Sequence, residues 1–230
     1  MCGKVPFRGP FPIGHECVAE VVAVGSGVRR IRVGQDVIVP WAVSCGACPR
    51  CLAGLTSKCA AAGGTLAAYG FGPASGPWGG MVADRIRVPH ADHMLVPVPD
   101  GVPPIRVAAA GDNLADAWRT VVPPLARREG GTVLVLGGGA KSIGLYAAGL
   151  AAAHGAATVH YLDDDPQRRQ IAESLGAEAG PLNGSVGGVY DVVVEVTSRA
   201  PACAARSPRR LPAGSARRSA TTWRPVRASR

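Results

Sequence analysis

Four cysteines within 15 residues constrain the fold of this chain more than any other feature of its sequence. They follow a C-x2-C-x2-C-x7-C spacing and are Cys45, Cys48, Cys51 and Cys59. Zn²⁺ is bound tetrahedrally by four thiolates, and a C-x2-C step lets one turn of the chain supply two neighbouring ligands. The alternative, four small apolar side chains in a core, is disfavoured because such clustering by chance is improbable in a chain with seven cysteines. We therefore predict a structural zinc site, whose four thiolates leave no coordination position open for catalysis.

The composition excludes membrane and secreted classes. The 230 residues are 47% hydrophobic, which is sufficient for the core of one large domain or two ordinary ones. No apolar run approaches the roughly 18 residues of a membrane-spanning helix. The N-terminal stretch MCGKVPFRGPFPIGHE lacks the apolar segment of a secretory signal, and an odd number of cysteines argues against a disulfide framework. We expect a cytoplasmic protein in a reducing environment, with no membrane partner.

The net charge of +9 is confined to the C-terminal segment. Residues 199–230 hold nine of the 25 basic side chains and no acidic one, so the first 198 residues carry 16 side chains of each sign. A basic binding patch on the folded body is therefore not indicated. Aromatic side chains, on which nucleic-acid bases stack, make up only 5% of the chain. Nucleic acid is thus a disfavoured partner.

A β-rich half is predicted before residue 105. In HECVAEVVAVGSGV the β-branched residues form a strand that stops at Gly25, and a second, short strand follows over 37–39. Residues 41–80 are rich in Gly, Ala and Cys and have little periodicity, which predicts a lobe built from loops. A further strand is expected near 81–88, and the Pro-rich stretch 97–104 is typical of a linker.

Strands alternate with helices after residue 130. The predicted elements are a strand over 130–136, a helix over 143–154, a strand over 158–162, a helix over 166–175 and a strand over 190–196. Gly155 suits the C-terminal end of the first helix, and Pro166 suits the first turn of the second. This alternation predicts a parallel, doubly wound sheet.

The pattern ends abruptly at Ser198. Residues 199–230 consist mainly of Ala, Arg, Pro and Ser without an apolar period, which is typical of a disordered basic tail. A sharper hypothesis is that this segment is an out-of-frame terminus, because a doubly wound sheet should go on adding strands here. Translation of the gene in its other two frames beyond codon 198 tests this hypothesis, and the absence of a strand–helix pattern there would refute it.

A glycine-rich turn joins the first of these strands to the first helix. In a dinucleotide-binding unit Gly137 would permit the tight turn, Gly139 would let the backbone approach the pyrophosphate, and Gly144 would let the helix pack closely on the strand. The spacing has two more residues before Gly144 than G-x-G-x-x-G. Asp163 ends the next strand, where an acid hydrogen-bonds the ribose hydroxyls and repels a 2′-phosphate, so NAD is favoured over NADP. The alternative role, a cap for the following helix, suits Asp165 better.

Three motifs occur in a fixed order along the chain. Gly14-His15-Glu16 precedes an E-V-V-x-V-G strand, the four-cysteine array follows, and the glycine-rich turn comes last with an acid after the next strand. In this order they resemble the zinc-dependent medium-chain dehydrogenases, the alcohol dehydrogenase family, over residues 11 to about 198.

The resemblance implies an α/β fold with three parts. Residues 1–104 would form a partial GroES-like, β-rich catalytic domain that carries the four-cysteine zinc lobe. Residues 105–198 would form an incomplete Rossmann doubly wound parallel sheet, and 199–230 a disordered basic tail.

The resemblance also implies a second, catalytic zinc. The histidine of the GHE motif binds it in that family, which implies His15, with Glu16 as a nearby partner or alternate ligand. Some branches take a further ligand from an aspartate before the nucleotide domain, and Asp112 in Ala-Gly-Asp-Asn-Leu matches them, although alone it would be an ordinary helix cap. The family's first ligand is a cysteine further upstream than this sequence allows: either Cys2 serves through a shortened loop, or the N-terminal strands are missing. Cys17 is expected in the core.

The activity implied by the resemblance is zinc-assisted hydride transfer between NAD and a small-molecule alcohol or aldehyde hydrate. We expect weak or no activity from residues 1–230, because the later strands that complete the family's nicotinamide site and dimer interface are not recognisable. One alternative is a non-catalytic zinc- and nucleotide-binding fragment or degenerate relative, which would hold one zinc per chain where the enzyme holds two. The other is a nucleic-acid-binding protein, whose affinity should fall steeply with salt.

Overall fold

The computed structural model describes residues 9–63, 66–182 and 188–198. They form two compact units, and the chain passes from the first to the second between Asp112 and Asn113. The predicted boundary after residue 104 falls on a 3-10 turn, Pro104–Val107, just before this passage. Cys2 and the predicted tail lie outside the described residues. Within the described ranges, no helix is long and apolar enough to cross a membrane.

The first unit contains a three-stranded antiparallel sheet. Its strands are β1 (Cys17–Glu20), β2 (Asp36–Val39) and β3 (Val96–Pro97), in the order β1-β2-β3. β2 is the central strand and is buried along three of its four residues, whereas β3 is exposed. Aliphatic side chains on both sides of the β1–β2 turn therefore supply the core of this unit, as their spacing in the sequence predicted.

Short helices and turns make up the rest of the first unit. They are α1 (Pro49–Leu52), α2 (Ala91–Met94) and 3-10 turns over Thr56–Lys58 and Pro73–Ser75. The strand predicted near 81–88 is wrong, because this segment has an irregular backbone. The N–H groups of Met81 and Val82 donate to the carbonyls of Gly14 and Ile13, but two such backbone bonds do not make a ladder.

The second unit is a four-stranded parallel sheet with helices. Its elements are α3 (Asn113–Leu125), β4 (Thr132–Leu136), α4 (Lys141–Ala153), β5 (Thr158–Leu162), α5 (Pro166–Ser174), β6 (Glu178–Gly180) and β7 (Val192–Glu195). The strand order is β6-β5-β4-β7, so β5 and β6 are added on one side of β4, and the third connection returns to place β7 on its other side. The predicted parallel sheet and its strand–helix alternation are confirmed. α3 was not predicted, because Pro123 and Pro124 in its last turn obscure its helical period.

The central strands of this sheet are mainly apolar because both faces pack. Val133, Val135 and Val194 are wholly buried on one face, against Ala147 and Ala148 of α4. Leucines of β4 and β5 form a smaller cluster on the other face. This is the burial expected of a parallel sheet, and it brings the ends of β4, β5 and β7 to one edge.

Candidate metal and nucleotide sites

The four cysteines of the array converge although each lies on a different piece of local structure. Cys45 follows the loop after β2, Cys48 precedes α1, Cys51 lies within it and Cys59 ends a 3-10 turn. All four Sγ atoms lie within 4.8 Å of one another. Four sulfurs bound tetrahedrally at about 2.3 Å from zinc lie about 3.8 Å apart, so a small contraction accommodates the ion. In the part of the chain that the structure describes, this is the one group of three or more such side chains able to share a metal.

The backbone around the cluster favours thiolates. The Cys45 and Cys48 amides donate to the sulfurs of Cys59 and Cys45, at 3.3 and 3.4 Å. Hydrogen bonds from the backbone at Cys51 and Ala60 lower the pKa of Cys48 to about 6, whereas burial raises that of Cys51 to about 11. The donor set, four soft sulfurs with backbone N–H support, suits Zn²⁺ in a closed structural site.

His15 and Asp112 meet at one end of β1. The imidazole Nε2 of His15 lies 3.3 Å from a carboxylate oxygen of Asp112. The Asp112 hydrogen bond raises the pKa of His15, in spite of burial, and the charge of Glu16 adds to this effect. Nitrogen and oxygen ligands at about 2.0–2.1 Å in a tetrahedral site lie about 3.3 Å apart, so this pair is already spaced to share one zinc ion.

The structure brings together two of the side chains named for the second metal site. His15 also stacks on Phe71, with ring centroids 4.8 Å apart, and Phe71 contacts Trp41 at 5.4 Å. Among the described residues, Glu16 does not complete a three-ligand cluster with His15 and Asp112. The aromatic rings were not found from the sequence, since Phe71 lies in the irregular lobe without a motif.

The glycine turn lies between β4 and the N-terminus of α4. The positive φ that only glycine adopts freely falls on Gly138, at +136°, and not on Gly137. A Cβ at Gly137 would lie 2.4 Å from a carboxylate oxygen of Asp163, and one at Gly139 would lie 2.6 Å from the Ser198 hydroxyl. At Gly144 it would lie 3.0 Å from Val196, so this glycine permits the close helix–strand packing that was predicted.

The start of α4 suits an anionic group. Ala140 occupies the N-cap position and provides no side-chain hydrogen bond to the first turn. The amide groups at the start of a helix carry partial positive charge, and phosphates bind there when no side chain caps them. A glycine-lined turn with an uncapped helix N-terminus therefore fits the pyrophosphate of a dinucleotide.

Asp163 lies at the end of β5 and is fully buried. Burial raises its pKa, but hydrogen bonds from Arg168, from the Asp165 amide and from Tyr161 outweigh this and lower it overall. Asp165 caps α5 through the amides of Gln167 and Arg168, as the sequence suggested. Tyr161 and Arg168 were missed, although the five-residue step from Asp163 to Arg168 places the arginine in the first turn of α5.

Comparisons with known proteins agree with this arrangement. The alcohol dehydrogenase GroES-like domain model matches residues 1–100. A zinc-binding alcohol dehydrogenase of Mycobacterium tuberculosis is 36% identical over 183 residues, which are 78% of this chain and 44% of that protein. The glutathione-independent formaldehyde dehydrogenase of Pseudomonas aeruginosa is 35% identical over 180 residues, 74% of this chain and 43% of that protein. The chain thus spans less than half the length of these two relatives.

Solved structures show the same likeness in three dimensions. An alcohol dehydrogenase from Thermus sp. ATN1 matches with a TM-score of 0.78 and 30% identity over 88% of this chain and 59% of that one. A zinc-binding dehydrogenase from Sinorhizobium meliloti 1021, bound to NADP, matches with a TM-score of 0.67 and 30% identity over 86% and 57% of the two chains. In its GroES-like and Rossmann-type units and its cysteine cluster, the chain is similar to the zinc-dependent medium-chain dehydrogenases, the alcohol dehydrogenase family.

Proposed function

We propose that this chain carries the metal-binding and nucleotide-binding elements of an oxidoreductase that transfers hydride between an alcohol, or an aldehyde hydrate, and NAD. The observation that carries this proposal is the 3.3 Å approach of His15 to Asp112. These two side chains come from opposite ends of the first unit, and a structural role for the zinc lobe alone does not require them to meet.

His15, Asp112 and Cys2 would hold the catalytic zinc, and the four clustered cysteines would hold the structural one. A zinc ion in the first site would act as a Lewis acid and lower the pKa of a substrate hydroxyl. The 3.3 Å approach of the Asp112 carboxylate to Nε2 of His15 places these two donor atoms at a spacing that one zinc ion could bridge. The Phe71 ring packs against that imidazole in a tilted arrangement, with 4.8 Å between the ring centroids.

The second unit would bind the dinucleotide. The turn at Gly137–Gly139 keeps side chains away from the pyrophosphate path, and the uncapped start of α4 would accept its charge. The bound nicotinamide ring supplies the hydride acceptor. The alcohol and aldehyde dehydrogenase relatives support the substrate class, a small alcohol or aldehyde. NAD is the form that an acid after β5 favours when its carboxylate faces the ribose.

Zinc content and hydride transfer test the proposal together. We expect purified protein to bind two zinc ions per chain by elemental analysis, with His15→Ala losing one ion and Cys59→Ser losing the other. Reduction of NAD by a panel of small alcohols, followed by NADH absorbance, measures turnover. One zinc per chain, unchanged by His15→Ala, would favour the alternative, a non-catalytic zinc- and nucleotide-binding fragment.

A further inference from the structure

The carboxylate of Asp163 has a hydrogen-bond donor at every acceptor position. One oxygen accepts from the Asp165 amide at 2.9 Å and from Nη2 of Arg168 at 2.7 Å. The other accepts from the Tyr161 hydroxyl at 2.8 Å and from Nε of Arg168 at 2.7 Å. The residue is 0% exposed. An ionised carboxylate offers about four lone-pair positions, so none is left for a ligand.

This arrangement changes what an acid at the end of β5 can do. An acid there selects NAD because it accepts hydrogen bonds from the ribose diol and repels a 2′-phosphate. Both effects require a carboxylate that reaches the ligand and keeps its charge. Here Arg168 forms a bidentate ion pair with Asp163. The pair occupies both carboxylate oxygens and neutralises their charge.

Arg168 is held in this position from two sides. Its Nη1 also pairs with the Asp165 carboxylate at 2.8 Å, and its side chain is only 16% exposed. Swinging away to a ligand would leave the buried Asp163 charge unpaired, which is strongly unfavourable. The ion pair is therefore a fixed part of the fold at this edge of the sheet.

We infer that Arg168 masks Asp163, so that the adenosine end of the proposed dinucleotide site accepts a 2′-phosphate nearly as well as a 2′-hydroxyl. Arg168 is then the residue that sets the choice between NAD and NADP. This inference rests on the proposed function, because it concerns the same nucleotide site.

The other charged groups near Asp163 and Arg168 give only a weak preference between NAD and NADP. Nη1 of Arg169 donates to the main-chain carbonyl of Asp163 at 2.8 Å, which adds a second cation. Asp164 is the one exposed acid of the three consecutive aspartates. Repulsion between two charges about 4 Å apart in water corresponds to a factor of about five in affinity. We therefore expect the affinities for NAD and NADP to lie within about tenfold of each other.

Calorimetric titration with NAD⁺ and NADP⁺ tests the inference on the full chain. Arg168→Met removes the guanidinium group that covers Asp163 but keeps an unbranched apolar side chain. It should therefore shift the affinity ratio toward NAD by about tenfold or more. Arg169→Met is the matched control: it removes the same charge from the next residue, leaves the Asp163 carboxylate covered and should shift the ratio by less than about threefold. Asp163→Asn should lower the melting temperature and, because it leaves Arg168 without this partner, should not shift the ratio toward NAD.

Each result decides between distinct outcomes. A wild-type preference for NAD of about a hundredfold that Asp163→Asn abolishes would mean that Asp163 does hydrogen-bond the ribose. The inference would then be wrong, while the proposed function would stand. If wild-type protein binds neither nucleotide, the proposed dinucleotide site itself is refuted, and the inference with it. If circular dichroism shows that Arg168→Met does not fold, the wild-type and Asp163→Asn ratios decide the question.

Discussion

Asp191 is the side chain that ties the start of β7 to the start of β4. Its carboxylate accepts a hydrogen bond from the Thr132 amide at 2.9 Å and forms an ion pair with Arg128 at 2.7 Å. These contacts, the Thr132 amide first and Arg128 next, lower the pKa of Asp191. A carboxyl group with a lowered pKa in the folded state stabilises the protein above its unfolded value, near 3.9, and this stabilisation is lost as the pH falls through the folded value.

Asp191→Asn should therefore destabilise the second unit at neutral pH but much less at low pH. With discounting for partial exposure we expect a loss of about 1 kcal/mol at pH 7, or roughly 2–4 °C in melting temperature. Between about pH 5 and pH 3 the wild-type protein should lose stability faster than the variant. Thermal unfolding followed by circular dichroism measures both. The control is Glu129→Gln, which removes one exposed charge nearby; equal pH dependence in all three proteins would contradict the prediction.

The role of Asp163 is harder to predict than its position. The sequence predicts a contact with the ribose, because an acid after the second strand of this fold usually has that role. The sequence does contain its partners, Tyr161 and Arg168, within five residues. What it does not contain is the direction of their side chains, which depends on the strand pleat and on the start of α5.

At the scale of elements, the turn after β4 and the interior of α4 leave different amounts of room for a side chain at their glycines. A Cβ at Gly137 would overlap Asp163, whose carboxylate cannot move because four donors hold it. A Cβ at Gly149, within α4, would touch Leu175 at an ordinary 3.5 Å. Alanine is favoured over glycine in a helix interior by about 1 kcal/mol.

Alanine substitutions at these two positions should accordingly have opposite effects. We expect Gly137→Ala to cost about 2 kcal/mol or more through overpacking and to weaken dinucleotide binding. Gly149→Ala should leave stability unchanged or raise it by up to about 1 kcal/mol, with binding intact. Urea unfolding and calorimetry on both variants check this. A Gly137→Ala protein as stable as the wild type would show that the Asp163 cluster is loosely held.

At the scale of the whole molecule, the zinc lobe belongs to one of the two compact units. All four cysteines lie between β2 and β3 in the chain, within residues 45–59. Backbone bonds flank the lobe: the Val43 amide donates to Ala67 and the Tyr69 amide donates to Trp41. Structural zinc contributes directly to folding free energy, so loss of the ion should loosen these flanking bonds first.

Chelation of zinc should therefore unfold the chain unevenly. After treatment with EDTA we expect the Val43 and Tyr69 amides to exchange with deuterium much faster, while the amides of β4 and β5 keep their protection. Hydrogen exchange followed by mass spectrometry measures the two units separately. Cys59→Ser without chelator should reproduce the pattern, and equal loss of protection in β4 and β5 would contradict it.

The sequence by itself determined the features that depend on local spacing. The cysteine steps, the valine-rich strands and the glycine turn each act over a few residues, so their presence predicted a zinc lobe, a β-rich unit and a parallel sheet. Only the tertiary structure decided which side chains touch: the ring of Phe71 against that of His15, and the donors that surround the two oxygens of Asp163. The physical reason is that side-chain contacts across elements are set by the packing of whole strands and helices, which no short segment specifies.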